Sequence, residues 1–144
     1  MTQEEKQLLL ADLCARLPYR VKVQTPVMND EITLTCEDIS AYFFNPDNNV
    51  FLKPFLRPMS SMTEEERKEW KQLLDDEDFA RPFYHDDNSI EIWINRDSEY
   101  DLEIDFRLIV ETIDWLNAHH FDYRGLIEKG LALEAPKGMY KMEE

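Results

Sequence analysis

Hydrophobic and polar positions alternate along this chain between helical and strand-like spacing. Leu10, Leu13, Cys14 and Leu17 fall at i, i+3, i+4 and i+7, the spacing of one helix face. Thr2 and Glu5 form a capping-box pair ahead of them. Pro18 stops the run, because it has no amide donor and restricts the residue before it. A helix is therefore predicted over 3–16. Period-two stretches follow. Val21 and Val23 alternate with Lys22 and Gln24, and Ile32, Leu34 and Cys36 alternate with Thr33 and Thr35. Ile39 to Phe44 is rich in bulky residues, and Val50 to Leu56 is an apolar run broken by Pro54. TPVMND, Glu37-Asp38 and NPDNN separate these runs with turn chemistry, which predicts an antiparallel meander of about four short strands. Pro54 and Pro58 do not suit a central strand, so the last run is expected to end at an edge or leave the sheet.

The second half starts with Thr63 and Glu66, a capping box, with acids in the first helical turn. Trp70, Leu73 and Leu74 give this helix a narrow apolar stripe, as a surface helix has. It is expected to end before Asp75-Asp76-Glu77-Asp78, because acids oppose the dipole at a helix C-terminus. Beyond Arg81-Pro82, Ile90, Ile92 and Ile94 alternate with Glu91, Trp93 and Asn95, and Leu102, Ile104 and Phe106 alternate with Glu103 and Asp105. With residues 96–101 as the loop, this reads as a hairpin whose outer face carries Glu91, Trp93, Glu103 and Asp105. That face is the candidate binding surface, unless a neighbouring helix covers Trp93.

The longest helical pattern is C-terminal. Ile109, Ile113, Leu116 and His120 recur at steps of four, three and four, Val110 and Trp115 widen the face, and Glu111, Asp114 and Asn117 fall outside it. Asp122 reads as the N-cap of a short second helix, Tyr123 to Lys129, closed by Gly130. Nothing periodic follows Pro136. The organisation predicted is one α+β domain over 1–135, in which a small antiparallel sheet packs with an N-terminal helix and C-terminal helices, and a flexible tail over 136–144.

Charge narrows the function. There are 31 acidic and 16 basic residues, a net charge of −15, and residues 63–107 alone carry sixteen acids against six bases. Such a charge disfavours direct contact with nucleic acid or an anionic membrane and favours a basic partner. The helix–corner–helix at the C-terminus does not read as a DNA-binding motif, since its second helix offers only Arg124 and Lys129 with Glu128 between them. Three glycines leave no room for a glycine-rich phosphate loop. The N-terminus MTQEEK lacks the layout of a signal peptide, and no apolar run reaches the roughly 20 residues of a membrane span, so a cytoplasmic protein is expected. Cys14 and Cys36 have no CxxC or ligand spacing and read as free, buried thiols of a reducing compartment.

No catalytic motif stands out. His119-His120 with Asp122 is the most metal-like group, but adjacent helical histidines point about 100° apart and a third ligand at familiar spacing is missing. A helix-end role fits them better. His85-Asp86-Asp87 reads either as a general base beside two carboxylates or as a solvated turn. Asp75 to Asp78 lacks the spacing and glycine of a calcium loop. No metal, cofactor or catalytic residue is assigned.

Three segments, LLLADLCARLPYRVKVQ, FLKPFLRPMSSMTEEERKE and IDWLNAHHFDYRGLIEKGLALEAPKGMY, carry a resemblance. Together they resemble a group of short acidic proteins of Bacteroidales-type gut bacteria and of the phages and mobile elements these carry. The resemblance spans about half of the chain and leaves out residues 75–106. It implies a bacterial or phage setting and brings no activity. The functional expectation is a non-catalytic protein-binding module whose acidic middle docks on a basic partner surface, in a phage setting by mimicking a nucleic-acid ligand. A small metal-dependent or His-based enzyme, and a structural subunit forming a homo-oligomer, are the alternatives.

Overall fold

The computed structural model describes residues 1–44, 51–73, 80–84, 90–94 and 102–140, with 80–84, 90–94 and 102–108 described by backbone course. The order of elements is α1 (Gln3–Arg16), β1 (Lys22–Gln24), β2 (Glu31–Thr33), α2 (Cys36–Phe43), β3 (Lys53–Leu56), α3 (Glu64–Leu73), β4 (Ala80–Tyr84), β5 (Ile90–Ile94), α4 (Leu102–Ala118) and β6 (Leu133–Glu134). The fold is α+β. The chain divides into two compact units, one built from Met1–Arg57 with Asn117–Glu144 and the other from Pro58–Leu116, where a single domain over 1–135 was expected.

In the first unit a four-stranded mixed sheet has the order β2-β1-β3-β6. β1 pairs antiparallel with β2 and with β3, and β3 pairs parallel with β6. Leu9 and Leu13 of α1 pack with Val21, Val23, Leu34, Leu52 and Leu56 around the sheet, with Ile39 and Phe43 of α2, and with Leu126, Leu131 and Ala132 from the C-terminal segment. Removing this much apolar surface from water is the main force holding the unit together.

Four expectations change here. Ile39 to Phe44 belongs to a helix instead of a strand. Thr35 accepts a hydrogen bond from the Asp38 amide (3.3 Å) and Asp38 accepts one from the Thr35 amide (2.9 Å), a capping box with Asp at its third position. Ile39 and Phe43 then lie four apart on the buried side. Pro54 sits inside β3, within the sheet. It is tolerated because the neighbours are staggered: β1 faces Lys53 and Pro54, whereas β6 faces Phe55 and Leu56, so Pro54 has a strand on one side only. Cys14 and Cys36 are free but exposed, since the buried side of α1 is Leu9, Asp12, Leu13 and Arg16 and Cys36 is the first residue of α2. The segment after Pro136, expected to be loose, is held as far as Tyr140. Its hydroxyl accepts a hydrogen bond from the Lys22 amide (2.9 Å) and donates to the Phe55 carbonyl (2.7 Å), so it bridges β1 and β3.

In the second unit the Thr63–Glu66 capping box forms as expected, with bonds of 3.0 and 3.1 Å. Trp70 of α3 is buried, not merely a stripe on a surface helix. It stacks on Trp115 of α4 at 6.2 Å, and the Trp115 indole N–H donates to Glu69 (3.0 Å). β4 and β5 pair antiparallel, from Ala80 opposite Ile94 to Tyr84 opposite Ile90. The partner of β5 is therefore the preceding segment. Residues 102–106, expected as the second strand, form the first turns of α4. Among the described residues, no helix is long and apolar enough to cross a membrane.

Candidate functional site

Two regions carry the candidate chemistry. The first is the corner that follows α4. His120 ends the helix in a left-handed conformation (φ 63°) and its amide donates to the Asn117 carbonyl (3.1 Å). Its carbonyl accepts from the Arg57 amide (2.8 Å), and the Asp122 amide donates to the Arg57 carbonyl (2.8 Å), which pins the corner beside the end of β3. The Asp122 carboxylate accepts from the amides of Leu126 (2.8 Å) and Ile127 (3.0 Å). The cap expected of Asp122 is thus present, but the helix over Tyr123 to Lys129 is replaced by turns. Gly125 adopts φ +72°, which breaks a helix at its third residue, and Gly130 takes the left-handed position expected of it.

The His120 imidazole is buried and stacks on the Tyr140 ring with centroids 3.7 Å apart. Burial, then the positive charges of Arg16, His119 and Arg57, push its pKa down to about 4. Its Nδ1 has no hydrogen-bond partner among the described residues. Burial also pushes the Tyr140 hydroxyl up to about 12. A neutral, buried His with so low a pKa is a poor general base near neutral pH, and its surroundings are those of a packed helix end. His119 is half-buried beside Phe121. Among the described residues, no group of three or more His, Cys, Asp or Glu side chains could hold a metal ion. His85-Asp86-Asp87, Asp75 to Asp78 and the expected loop over 96–101 lie outside the described residues.

Beneath this corner lies a charge network that hydrophobic spacing does not reveal. Arg16 Nε donates to Asp12 at 2.9 Å, and neither side chain touches solvent. Arg16 Nη2 donates to the Phe121 carbonyl (2.6 Å), and Arg124 reaches the other Asp12 oxygen (3.2 Å). The Tyr123 ring lies 5.2 Å from the Arg16 guanidinium and 5.1 Å from that of Arg124, and its hydroxyl donates to Asn117 (2.8 Å). The signal in the sequence was an Asp–Arg pair at i, i+4 on the side of α1 that carries Leu9 and Leu13. The network fastens α1 to the corner.

The second region is the acidic unit over Pro58–Leu116. It carries eighteen acidic and six basic residues, a net charge of −12. Of the four residues of the expected binding face, Glu91 and Trp93 lie on β5, opposite Phe83 and Arg81. Two residues apart on a strand, they share one face. Glu103 and Asp105 lie on α4, where positions two apart fall about 200° apart around the axis, so these two do not share a face. The single hairpin face expected from the alternation is therefore not formed.

The described part of α4 departs only in part from the arrangement its spacing implied, since Trp115 and Leu116 are inside as expected. Thr112, Trp115 and Leu116 are buried, whereas Val110 (55% exposed) and Ile113 (38% exposed) are outside. Glu111 and Asp114 are exposed as expected, and Asn117, expected to be wet, is buried. On α3, Glu64, Glu65 and Lys68 are exposed. No family model, curated protein or solved structure matches the chain.

Proposed function

We propose that this chain is a non-catalytic protein-binding module whose acidic unit, Pro58–Leu116, docks on a basic surface of a partner protein. The observation that carries this reading is the distribution of charge. One compact unit holds −12 of the −15, and exposed acids stand on both of its helices. A concentrated negative field speeds and orients encounter with a positive surface and repels phosphate backbones. A groove that ordinarily takes nucleic acid is the kind of surface such a field would occupy, and a bacterial or phage cytoplasm is the setting proposed for it. Glu91, Trp93, Glu103 and Asp105 remain candidate contacts, now as members of two elements.

The test is capture from a bacterial lysate at low and at moderate salt, comparing the wild-type chain with E91Q/E103Q/D105N and with E111Q/D114N. The expected result is a basic protein retained at low salt, released as salt screens the charges, and held less well by the charge-neutralised chains. Equal retention at both salts by all three chains would remove the proposal.

A further inference from the structure

We infer that the outward face of α4 is the apolar centre of this docking surface, and that its occupant is a cationic amphipathic helix of the partner. The inference rests on the acidic-docking reading and adds to it a location and a partner chemistry. Thr112, Trp115 and Leu116 already form the inward side of α4, with Trp115 tied to Glu69 and stacked on Trp70. The helix nonetheless spends two further aliphatic residues, Val110 and Ile113, on its outside. They lie three apart, so they adjoin on one face, and each is followed by an exposed acid, Glu111 and Asp114. Together the four side chains put a small aliphatic strip beside carboxylates on one side of α4. A surface that receives a helix with leucine-like side chains along one stripe and Lys or Arg beside it would need both. The unit's net charge of −12 selects a cationic helix over a neutral one.

Two synthetic peptides of equal length and charge separate this inference from the broader one. The first places Leu at helical spacing among Lys. The second carries Ser in place of every Leu. Fluorescence anisotropy with the full chain should show tighter binding of the Leu peptide. V110S/I113S should weaken that binding about tenfold, the order expected from losing burial of a few methyl groups, and should leave the Ser peptide unaffected. V27S/M28S, which alters the exposed apolar pair between β1 and β2, should change neither affinity. Circular dichroism of the variants checks that the fold is retained. If both peptides bind equally, or V110S/I113S binds the Leu peptide as the wild type does, the apolar centre is refuted while acidic docking stands. If neither peptide binds at low salt, both readings fail.

Discussion

Asp12 and Arg16, one helical turn apart on α1, form a 2.9 Å ion pair with both side chains shut away from solvent. The pair is extended from outside the helix by Arg124 and by the Phe121 carbonyl, which leaves Arg16 Nη1 buried without a partner among the described residues. Its value to the fold depends on both charges being present, because either one left alone in the interior would lack both water and partner.

Breaking the pair from one side should therefore be costly. Asp12→Ala leaves the Arg16 guanidinium buried and half-satisfied, and is expected to lower stability by about 3–5 kcal/mol in urea unfolding. The double change D12L/R16M removes both charges and keeps apolar volume, so it should cost less than Asp12→Ala alone. A double variant as unstable as the single one would show that Arg16 matters chiefly through the Phe121 carbonyl.

His120 gives a pH dependence with a definite sign. Its folded pKa of about 4 lies below the ordinary 6.5, so the folded state prefers the neutral ring. The unfolded chain takes up the proton first as pH falls. The stability due to neutral His120 is then complete above about pH 6.5 and is lost between there and pH 4. At about 1.4 kcal/mol per pKa unit the loss is on the order of 3 kcal/mol. His120→Asn keeps a residue that tolerates positive φ and removes the titration. Urea midpoints at pH 7 and pH 4.5 should differ less for this variant than for the wild type.

Gly125 tests why the second helix expected after Asp122 is absent. A Cβ there would meet nothing within 4 Å, so an alanine faces no steric clash, only the left-handed backbone at φ +72°. Gly125→Ala should destabilise by about 1 kcal/mol, although alanine is the better helix former. A thermal midpoint that rises instead would mean that the turn over Tyr123 to Lys129 converts readily to helix.

Element types were legible where a local rule acted alone. The Thr2–Glu5 and Thr63–Glu66 boxes fix the starts of α1 and α3, and Val21 and Val23 mark β1. Errors came where two periods fitted the same residues. Leu102, Ile104 and Phe106 alternate as a strand does, but Leu102, Phe106, Ile109, Ile113 and Leu116 also step by four and three along a helix. The helix prevailed over 102–118, and a β partner for β5 was supplied from before it. Glu37-Asp38 has the composition of a turn between strands, but with Thr35 as the N-cap the same two acids form the first turn of α2.

Which helix face is buried was less legible than the helix itself. The apolar spacing of α1 points to Leu10, Leu13 and Leu17, whereas the buried side is Leu9, Asp12, Leu13 and Arg16, rotated toward the ion pair. An apolar pattern cannot count charged residues that satisfy each other inside. In α4 the same spacing placed Val110, Ile113, Trp115 and Leu116 inward; Trp115 and Leu116 are buried, joined by Thr112, whereas Val110 and Ile113 are outside. The acid excess of the candidate site was fully visible as composition. Its division between a strand and a helix followed from β5 pairing with the segment before it, which left 102–106 to α4.

The first unit is assembled from the two ends of the described chain, with β6 laid beside β3 and Tyr140 joined to Lys22 and Phe55. During synthesis α1 and β1 to β3 leave the ribosome early, yet Leu126, Leu131 and the Phe121 carbonyl that Arg16 needs emerge only after the whole of Pro58–Leu116. The early segments must wait in an incomplete state, with a buried-to-be charge and a half-covered sheet. Unit Pro58–Leu116 is one continuous stretch, and its described pairings, β4 with β5 and Trp70 with Trp115, lie within it. The acidic unit is thus placed to mature before the unit that holds the N-terminus, and a nascent chain halted near Leu116 would present that unit with the rest still unbuilt.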